Sequence, residues 1–344
     1  MCRESNLEKN LQSGHRLRFQ DDGSFRVLAL SDFQEGLDCD ARTLAALRAL
    51  TEAAKPQLVV LCGDNIDHTK IHTADELQRY LAMICAEFEE RHIPWAHVNG
   101  NHDHDLAIPP EEQMAVYTSF PMCVTKTVEG IHGSTNWFLP IWSADGSAPM
   151  AGVWGLDSNN RRADFTGEYG VEGLNGRGLI DVDTGFDGVR LDQVMWYYRS
   201  SAELEAWAKK KLPALACLHI PPQEIVILQR DPKAYAVEGD WDEAIGGPCV
   251  NSGLFAAFLE RGDVRATVSG HSHNDTYSGR YGGITLTFDG SIGFSPYGFP
   301  ERRGGRLFTF DCSAPDSLPT ITTKMLFARD YIDVSEKAKK ASAM

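Results

Sequence analysis

The sequence has no uninterrupted apolar run approaching the roughly 18 residues that a membrane-crossing helix needs. Its apolar stretches, such as Leu58 to Cys62, are of strand length. The first ten residues, MCRESNLEKN, are polar, and no apolar segment precedes Phe25, so no secretory leader is expected. Positive charge is also scarce: 33 Lys and Arg stand against 48 Asp and Glu, a formal net charge of −15. A nucleic-acid coat or a polybasic membrane anchor needs clustered cations, so both are disfavoured. There is no CxxC, and the eight cysteines (Cys2, Cys39, Cys62, Cys85, Cys123, Cys217, Cys249 and Cys312) are dispersed through a chain too long to need disulfide staples. They read as reduced thiols of a cytoplasmic protein, with Cys62 and Cys217 as small buried side chains inside apolar runs. No internal repeat is present.

What the chain does contain is ample apolar material. At 42% hydrophobic and 24% charged residues it can bury a sizeable core, which excludes a disordered chain. The 344 residues would permit two domains. The pattern instead reads as one domain over 25–333, with an N-terminal extension over 1–24 and a flexible tail over 334–344.

One pattern recurs: an apolar run, a polar or glycine-containing turn, then a helical stretch, which is the signature of an α/β layered fold. Strands are expected at Phe25 to Leu30, Gln57 to Cys62, Pro94 to Val98, Gly152 to Leu156, Leu215 to Leu218 and Ala266 to Ser269. Asp40 is placed to cap a helix carrying Leu44, Leu47 and Leu50 on one face. Thr73 and Glu76 form a capping box before the stripe Leu77, Tyr80, Leu81, Ile84 and Phe88. Further helices are expected over Asp192 to Lys211 and Ser252 to Arg261. The Gly-, Asp- and Asn-rich stretch Asn159 to Gly188 reads as a long surface excursion, and Thr276 to Phe310 as a meander of antiparallel strands.

Five of the apolar strands end at residues that carry chemistry: Asp32 with Gln34; Asp64; Asn101 with His102 and Asp103; His219; and His271 with His273. The C-terminal ends of strands in α/β sheets are where ligands sit, so these distant positions can converge. Carboxylate, amide and imidazole donors suit divalent metals, and a carboxylate such as Asp64 can bridge two ions. Two ions about 3.5–4 Å apart are suited to phosphoester hydrolysis, where attacking and leaving oxygens both need charge stabilised.

The ordered series DFQ (Asp32 to Gln34), GDNID (Gly63 to Asp67), GNHD (Gly100 to Asp103), His219 in CLHIP, and GHSH (Gly270 to His273) resembles the calcineurin-like metallophosphoesterase superfamily. That family's pattern is DxH, GDxxD, GNHD/E, H, GHxH. The wording IPWAHVNGNHD at Ile93 to Asp103, LDQVMWY at Leu191 to Tyr197 and NSGLFAAFLERGDVRATVSGH at Asn251 to His271 is similar to the purple acid phosphatase relatives that lack the metal-binding tyrosine. The likeness covers roughly residues 25 to 312. One GNHD alone would be weak; five elements in the family's order, each after an apolar strand, are specific.

The resemblance implies a four-layer α/β/β/α sandwich with two mixed β-sheets flanked by helices. It assigns one divalent ion to Asp32, Gln34, Asp64 and His273 and a second to Asp64, Asn101, His219 and His271. His102 would assist the leaving group, with Asp103 orienting it, and a metal-bridging hydroxide would attack phosphorus. Two departures stand out. Gln34 replaces the usual His and is a weaker donor, so it binds an ion directly or through water. Asp67 occupies the place of the chromophoric tyrosine, so no fixed ferric ion is implied and Mn, Fe, Zn and Mg all remain open.

The expected activity is hydrolysis of phosphomonoesters on a small substrate or phosphoprotein. A phosphodiesterase for nucleotides or phospholipid headgroups and a non-catalytic scaffold of the same fold are the alternatives. Outside the motifs, His97 reads as a hydrogen-bonded core residue; His15, His68, His72, His92 and His132 as surface; and His104 as either a substrate contact or a solvated loop residue. Asp67, Asp157 and Glu243 read as turn or supporting carboxylates, and Trp196 and Tyr197 as helix packing.

Overall fold

Strand Leu58–Cys62 is buried at every position, as expected of a strand covered on both faces. Alternation sorts its side chains. Leu58, Val60 and Cys62 point to one apolar layer, while Val59 and Leu61 point to another. The same period of two runs through Ser24–Leu30, where Phe25, Val27 and Ala29 share the first layer and Leu28 and Leu30 the second.

The computed structural model describes residues 17–161, 185–314 and 317–335. In chain order its strands are β1 (Leu17–Arg18), β2 (Ser24–Leu30), β3 (Leu58–Cys62), β4 (Trp95–Val98), β5 (Trp137–Trp142), β6 (Pro149–Gly155), β7 (Ala214–Cys217), β8 (Val264–Ser269), β9 (Ser278–Tyr281), β10 (Ile284–Phe288), β11 (Gly304–Asp311) and β12 (Thr320–Phe327). They form a seven-stranded sheet, β1-β5-β6-β7-β8-β10-β9, and a five-stranded sheet, β12-β11-β2-β3-β4. Both are mixed: β2, β3 and β4 run parallel while β11 is antiparallel to β2, and β6, β7, β8 and β10 run parallel while β5 is antiparallel to β6 but parallel to β1, and β9 is antiparallel to β10.

The sheets face each other across an apolar layer that includes Val27, Val60, Ala96, Leu139, Val153, Leu215 and Val268. Helices Ala41–Ala54 and Ala74–Ile84 cover the outer face of the five-stranded sheet through Leu47, Leu50, Leu77 and Leu81. Helices Leu191–Ala208 and Leu254–Arg261 cover the other sheet through Val194, Tyr197, Leu204 and Phe258. The result is the four-layer α/β/β/α sandwich. Both anticipated caps form: Asp40 accepts from the Arg42 N–H at 2.9 Å, and Thr73 and Glu76 close their reciprocal box.

The antiparallel meander expected over Thr276 to Phe310 is a misreading. β9 and β10 make a hairpin on the seven-stranded sheet, with β10 parallel to β8, whereas β11 crosses to the other sheet and pairs with β2 and β12. Alternation specifies which face of a strand is buried but not which strand lies beside it. The stripe through Phe88 also spans two helices, since the first ends at Ile84 and a short one runs over Ala86–Glu90. Most of the Asn159 to Gly188 excursion, and His15, lie outside the described residues.

Candidate metal centre

The turns after β2, β3, β4, β7 and β8 meet at one end of the sandwich. The Nε2 atom of His219 lies 3.2 Å from Asp64 Oδ2 and 3.9 Å from Asp32 Oδ1, and His273 Nε2 lies 3.3 Å from Asp32 Oδ1. Ligating atoms of Asp64, His219 and His271 all fall within 4.8 Å of one another. Asn101 opens the short helix Asn101–His104 after β4, and the next residue's N–H, that of His102, donates to Asp64 Oδ1 at 2.9 Å. Four side chains here sit on left-handed backbone: Asp32 (φ 53), Gln34 (φ 39), Asp64 (φ 50) and His271 (φ 75). That conformation costs energy in a residue with a Cβ, and surrounding packing has to enforce it.

Close approach of main chain makes the convergence possible. A Cβ on Gly100 would overlap Asp64 Oδ1, and one on Gly270 would stand 2.5 Å from Ser31 Oγ and 2.6 Å from Asp32 Oδ2. The imidazoles are aimed from behind. His219 pairs its Nδ1 with the Cys62 carbonyl at 2.9 Å, and His273 pairs its Nδ1 with the Tyr297 carbonyl at 2.9 Å. Each ring therefore carries its hydrogen on Nδ1 when neutral and turns Nε2 inward as a lone pair, the arrangement in which histidine ligates.

Charge in the cluster is finely opposed. Burial works against ionised Asp32 and Asp64, yet His273 and His219 hold Asp32, and His219 with His102 and His271 hold Asp64, below the usual range. Burial likewise opposes a charged His219, but Asp64 and Asp32 outweigh it and push the ring up to about 10. His271 goes the other way, down to about 3, through burial and the neighbouring His219. Behind Asp32, the Ser31 hydroxyl faces Asp32 Oδ2 at 2.6 Å, Asp289 Oδ1 at 2.7 Å and the Gly290 carbonyl at 3.0 Å. One hydroxyl hydrogen cannot serve three acceptors, so a protonated Asp289 donates to Ser31; burial pushes that carboxyl up to about 8.

These residues fit divalent cations. Asp32 Oδ1, Asn101 Oδ1 and His219 Nε2 are buried polar atoms that make no hydrogen bond among the described residues. Leaving such atoms unsatisfied is costly, and a cation between them removes the cost.

Of the residues singled out from sequence, Asp32, Asp64, Asn101, His219, His271 and His273 are buried or nearly so at this one place, and His102 stands beside them with its side chain 34% exposed. Gln34 reaches the cluster with its amide nitrogen, which donates to Asp64 Oδ2 at 2.8 Å. In this orientation it braces the bridging carboxylate; turned over about its last bond it would offer Oε1 to an ion. Asp103 differs from expectation. Its carboxylate accepts from the Gly100 N–H at 2.7 Å and the Asn65 N–H at 3.1 Å, so it closes the GNHD turn and no bond from it reaches the His102 ring.

Several participants gave no signal in the sequence. His68, read as a surface residue, places Nδ1 2.9 Å from Nδ1 of His102. His104 is not a solvated loop residue: it is largely buried and pairs with buried Asp157 at 2.7 Å. Glu35, fully buried, ties the turn after β2 to the loop after β10 by accepting from Thr43 Oγ1 at 2.7 Å and from Ser295. Tyr297 stacks on His273 with centroids 4.1 Å apart and donates its hydroxyl to Glu243 at 2.8 Å. His97 and Tyr197 are core residues, as read from sequence, bonded to Thr125 and Asp263. Asp67 closes a turn onto Thr69.

Comparison with known proteins places this geometry in context. The sequence model of the family "Calcineurin-like phosphoesterase" matches residues 25–275. Over 316 residues the chain is 28% identical to "Probable inactive purple acid phosphatase 14" of Arabidopsis thaliana, covering 82% of this chain and 74% of that protein. It is 26% identical over 288 residues to "Phosphatase DCR2" of Saccharomyces cerevisiae, covering 76% of this chain and 46% of the yeast protein. Among solved structures, a dimetal phosphatase from Danio rerio superposes with a TM-score of 0.54 at 15% identity, over 83% of this chain and 92% of that one, a likeness of fold.

Proposed function

The chain belongs to the calcineurin-like phosphoesterase family, and from that premise we propose that it hydrolyses phosphomonoesters of a small molecule or phosphoprotein with two divalent ions. Asp32, Asp64 and His273, with Gln34, would hold one ion, and Asp64, Asn101, His219 and His271 the other. The observation that carries this reading is the buried convergence of Asp32 Oδ1, Asn101 Oδ1 and His219 Nε2, none of them hydrogen-bonded among the described residues. When bound, the ions supply Lewis acidity and make water a nucleophile near neutral pH. The chain's own part is to hold the carboxylates ionised, aim the imidazoles through their Nδ1 bonds, and present His102 at the open edge of the cluster. His102 donates its Nε2 hydrogen toward the leaving oxygen.

Two observations favour a second reading, a scaffold of the same fold without turnover. Gln34 spends its amide on Asp64, and the plant relative carries "inactive" in its name. The test is turnover of para-nitrophenyl phosphate by manganese-loaded protein beside its His102→Ala variant, with the bis-aryl phosphate as the diester probe. Removing the acid should cost about 10²- to 10⁴-fold in kcat. Metal-loaded protein that turns over neither ester would support the scaffold, and His102→Ala at full activity would remove His102 from the mechanism.

A further inference from the structure

His68 lies four residues beyond Asp64 in the loop after β3 and stands outside the ligand cluster. Its Nδ1 is 2.9 Å from His102 Nδ1, and the two rings are offset with planes 25° apart and centroids at 4.9 Å. Two bare nitrogen lone pairs would repel at that distance, so one Nδ1 carries a hydrogen and the other receives it. The other contacts of His102 decide its tautomer. Its main-chain N–H is bonded to Asp64 Oδ1, and its Nε2 faces Asp64 Oδ2 at 3.8 Å. A carboxylate opposite Nε2 favours a hydrogen there over a lone pair. In a neutral His102 the Nδ1 is then the acceptor and His68 the donor; in a charged His102 both nitrogens carry hydrogen and His68 accepts. In both states the Nε2 hydrogen is kept.

We infer that His68 is a positioning residue that fixes the ring plane and tautomer of His102, so that an Nε2–H faces the metal centre. This rests on the reading that His102 assists the leaving group. Among the described residues no carboxylate is hydrogen-bonded to His102 Nδ1: Asp67 accepts from the Thr69 N–H at 2.9 Å and its hydroxyl at 2.6 Å, Asp103 closes the GNHD turn, and Asp105 accepts from the Asn160 amide. Without a partner at Nδ1, the single hydrogen of a neutral His102 is free to move there, leaving a lone pair where the leaving oxygen needs a donor. One rival remains in the geometry. Ligating atoms of His68, His102 and Asp105 lie within 4.8 Å of one another, close enough to share a cation.

Two substitutions separate these cases. His68→Phe keeps a ring against His102 and removes the nitrogen, whereas His68→Asn keeps an amide donor near the Nδ1 position. Long-range proton–nitrogen correlation spectra of the metal-free full-length protein report the His102 tautomer without reference to activity. The Nε2–H form is expected in the wild type and in His68→Asn, and a mixture in His68→Phe. In manganese-loaded protein, His68→Phe should lower kcat about tenfold on para-nitrophenyl phosphate and about 100-fold on phenyl phosphate, whose leaving group needs more help, at unchanged KM. His68→Asn should restore most of that loss. An Nδ1–H form of His102 in the wild type, or a tautomer that ignores His68→Phe, overturns the inference. So does a third manganese equivalent that disappears in His68→Phe. Spectra as stated without turnover of any ester would overturn the phosphoesterase reading and leave the His68 pairing standing.

Discussion

At the scale of single residues, a buried carboxylate persists as an anion only if its surroundings replace water, and Asp157 is the clearest instance. It is fully buried and accepts from the Ser134 N–H at 2.8 Å, the Thr135 hydroxyl at 3.1 Å and the Asn159 N–H at 2.9 Å, besides pairing with His104 at 2.7 Å. Burial opposes both charges, but Asp157 pushes His104 up to about 9, and His104 in turn holds Asp157 below the usual carboxylate range. A histidine whose folded value lies above its unfolded value of about 6.5 stabilises fully below pH 6.5 and loses that contribution as pH rises through 9. The stability gap between wild type and His104→Gln should therefore be widest near pH 6, on the order of 3 kcal/mol, and close between pH 6.5 and 9. Urea titrations at pH 6, 7.5 and 9.5 measure it, and a gap independent of pH would show that the pair carries no such charge. Residues of this kind were illegible beforehand for a simple reason. Asp32, Asp64 and His219 each follow an apolar strand, which marks them, whereas His104 and His68 meet partners 53 and 34 positions away with no periodicity to announce it.

At the scale of elements, legibility followed burial. β2, β3, β4, β7 and β8 are buried along most of their length and stood out, and these are the strands whose ends build the site. β5 carries Pro140, which argues against a strand, yet it pairs with β6 from Trp137 to Trp142. β12 is an outer strand with little burial before Met325, so no apolar face advertised it. The turns matter more to function than the strands they end. Gly270 brings the main chain after β8 against Ser31 and Asp32 after β2, from the opposite sheet, and a methyl group there has no room. Gly270→Ala should force those two side chains aside, costing about 1–3 kcal/mol of stability and displacing a ligand of the first ion. Metal content by elemental analysis together with the urea midpoint checks this; a variant with two full equivalents and an unchanged midpoint would mean that the turn relaxes freely.

At the scale of the whole molecule, the candidate metal centre lies across the join between the sheets. Asp32, Asp64 and Asn101 follow strands of the five-stranded sheet, and His219 and His271 follow strands of the seven-stranded one. An ion shared by Asp64 and His219 would therefore tie the two sheets over the apolar layer between them, and unfolding either sheet would release it. Linkage gives the size: at a hundredfold excess over its dissociation constant, manganese should add about 2.7 kcal/mol and raise Tm by roughly 4 °C. The net charge of −15 supplies a competing cause, because any divalent cation screens self-repulsion on an acidic chain. The two causes separate on one residue. His219→Ala removes a ligand contributed by the seven-stranded sheet and makes the chain at most one charge more negative, since Asp64 and Asp32 hold that ring charged in the absence of metal, so screening predicts a manganese shift at least as large as in the wild type while bridging predicts its loss. Calorimetry of both proteins with manganese, and with sodium chloride at matched ionic strength, decides between them. A wild-type shift that survives in His219→Ala, or that sodium chloride reproduces, would make the ions surface counter-charges rather than a link between sheets.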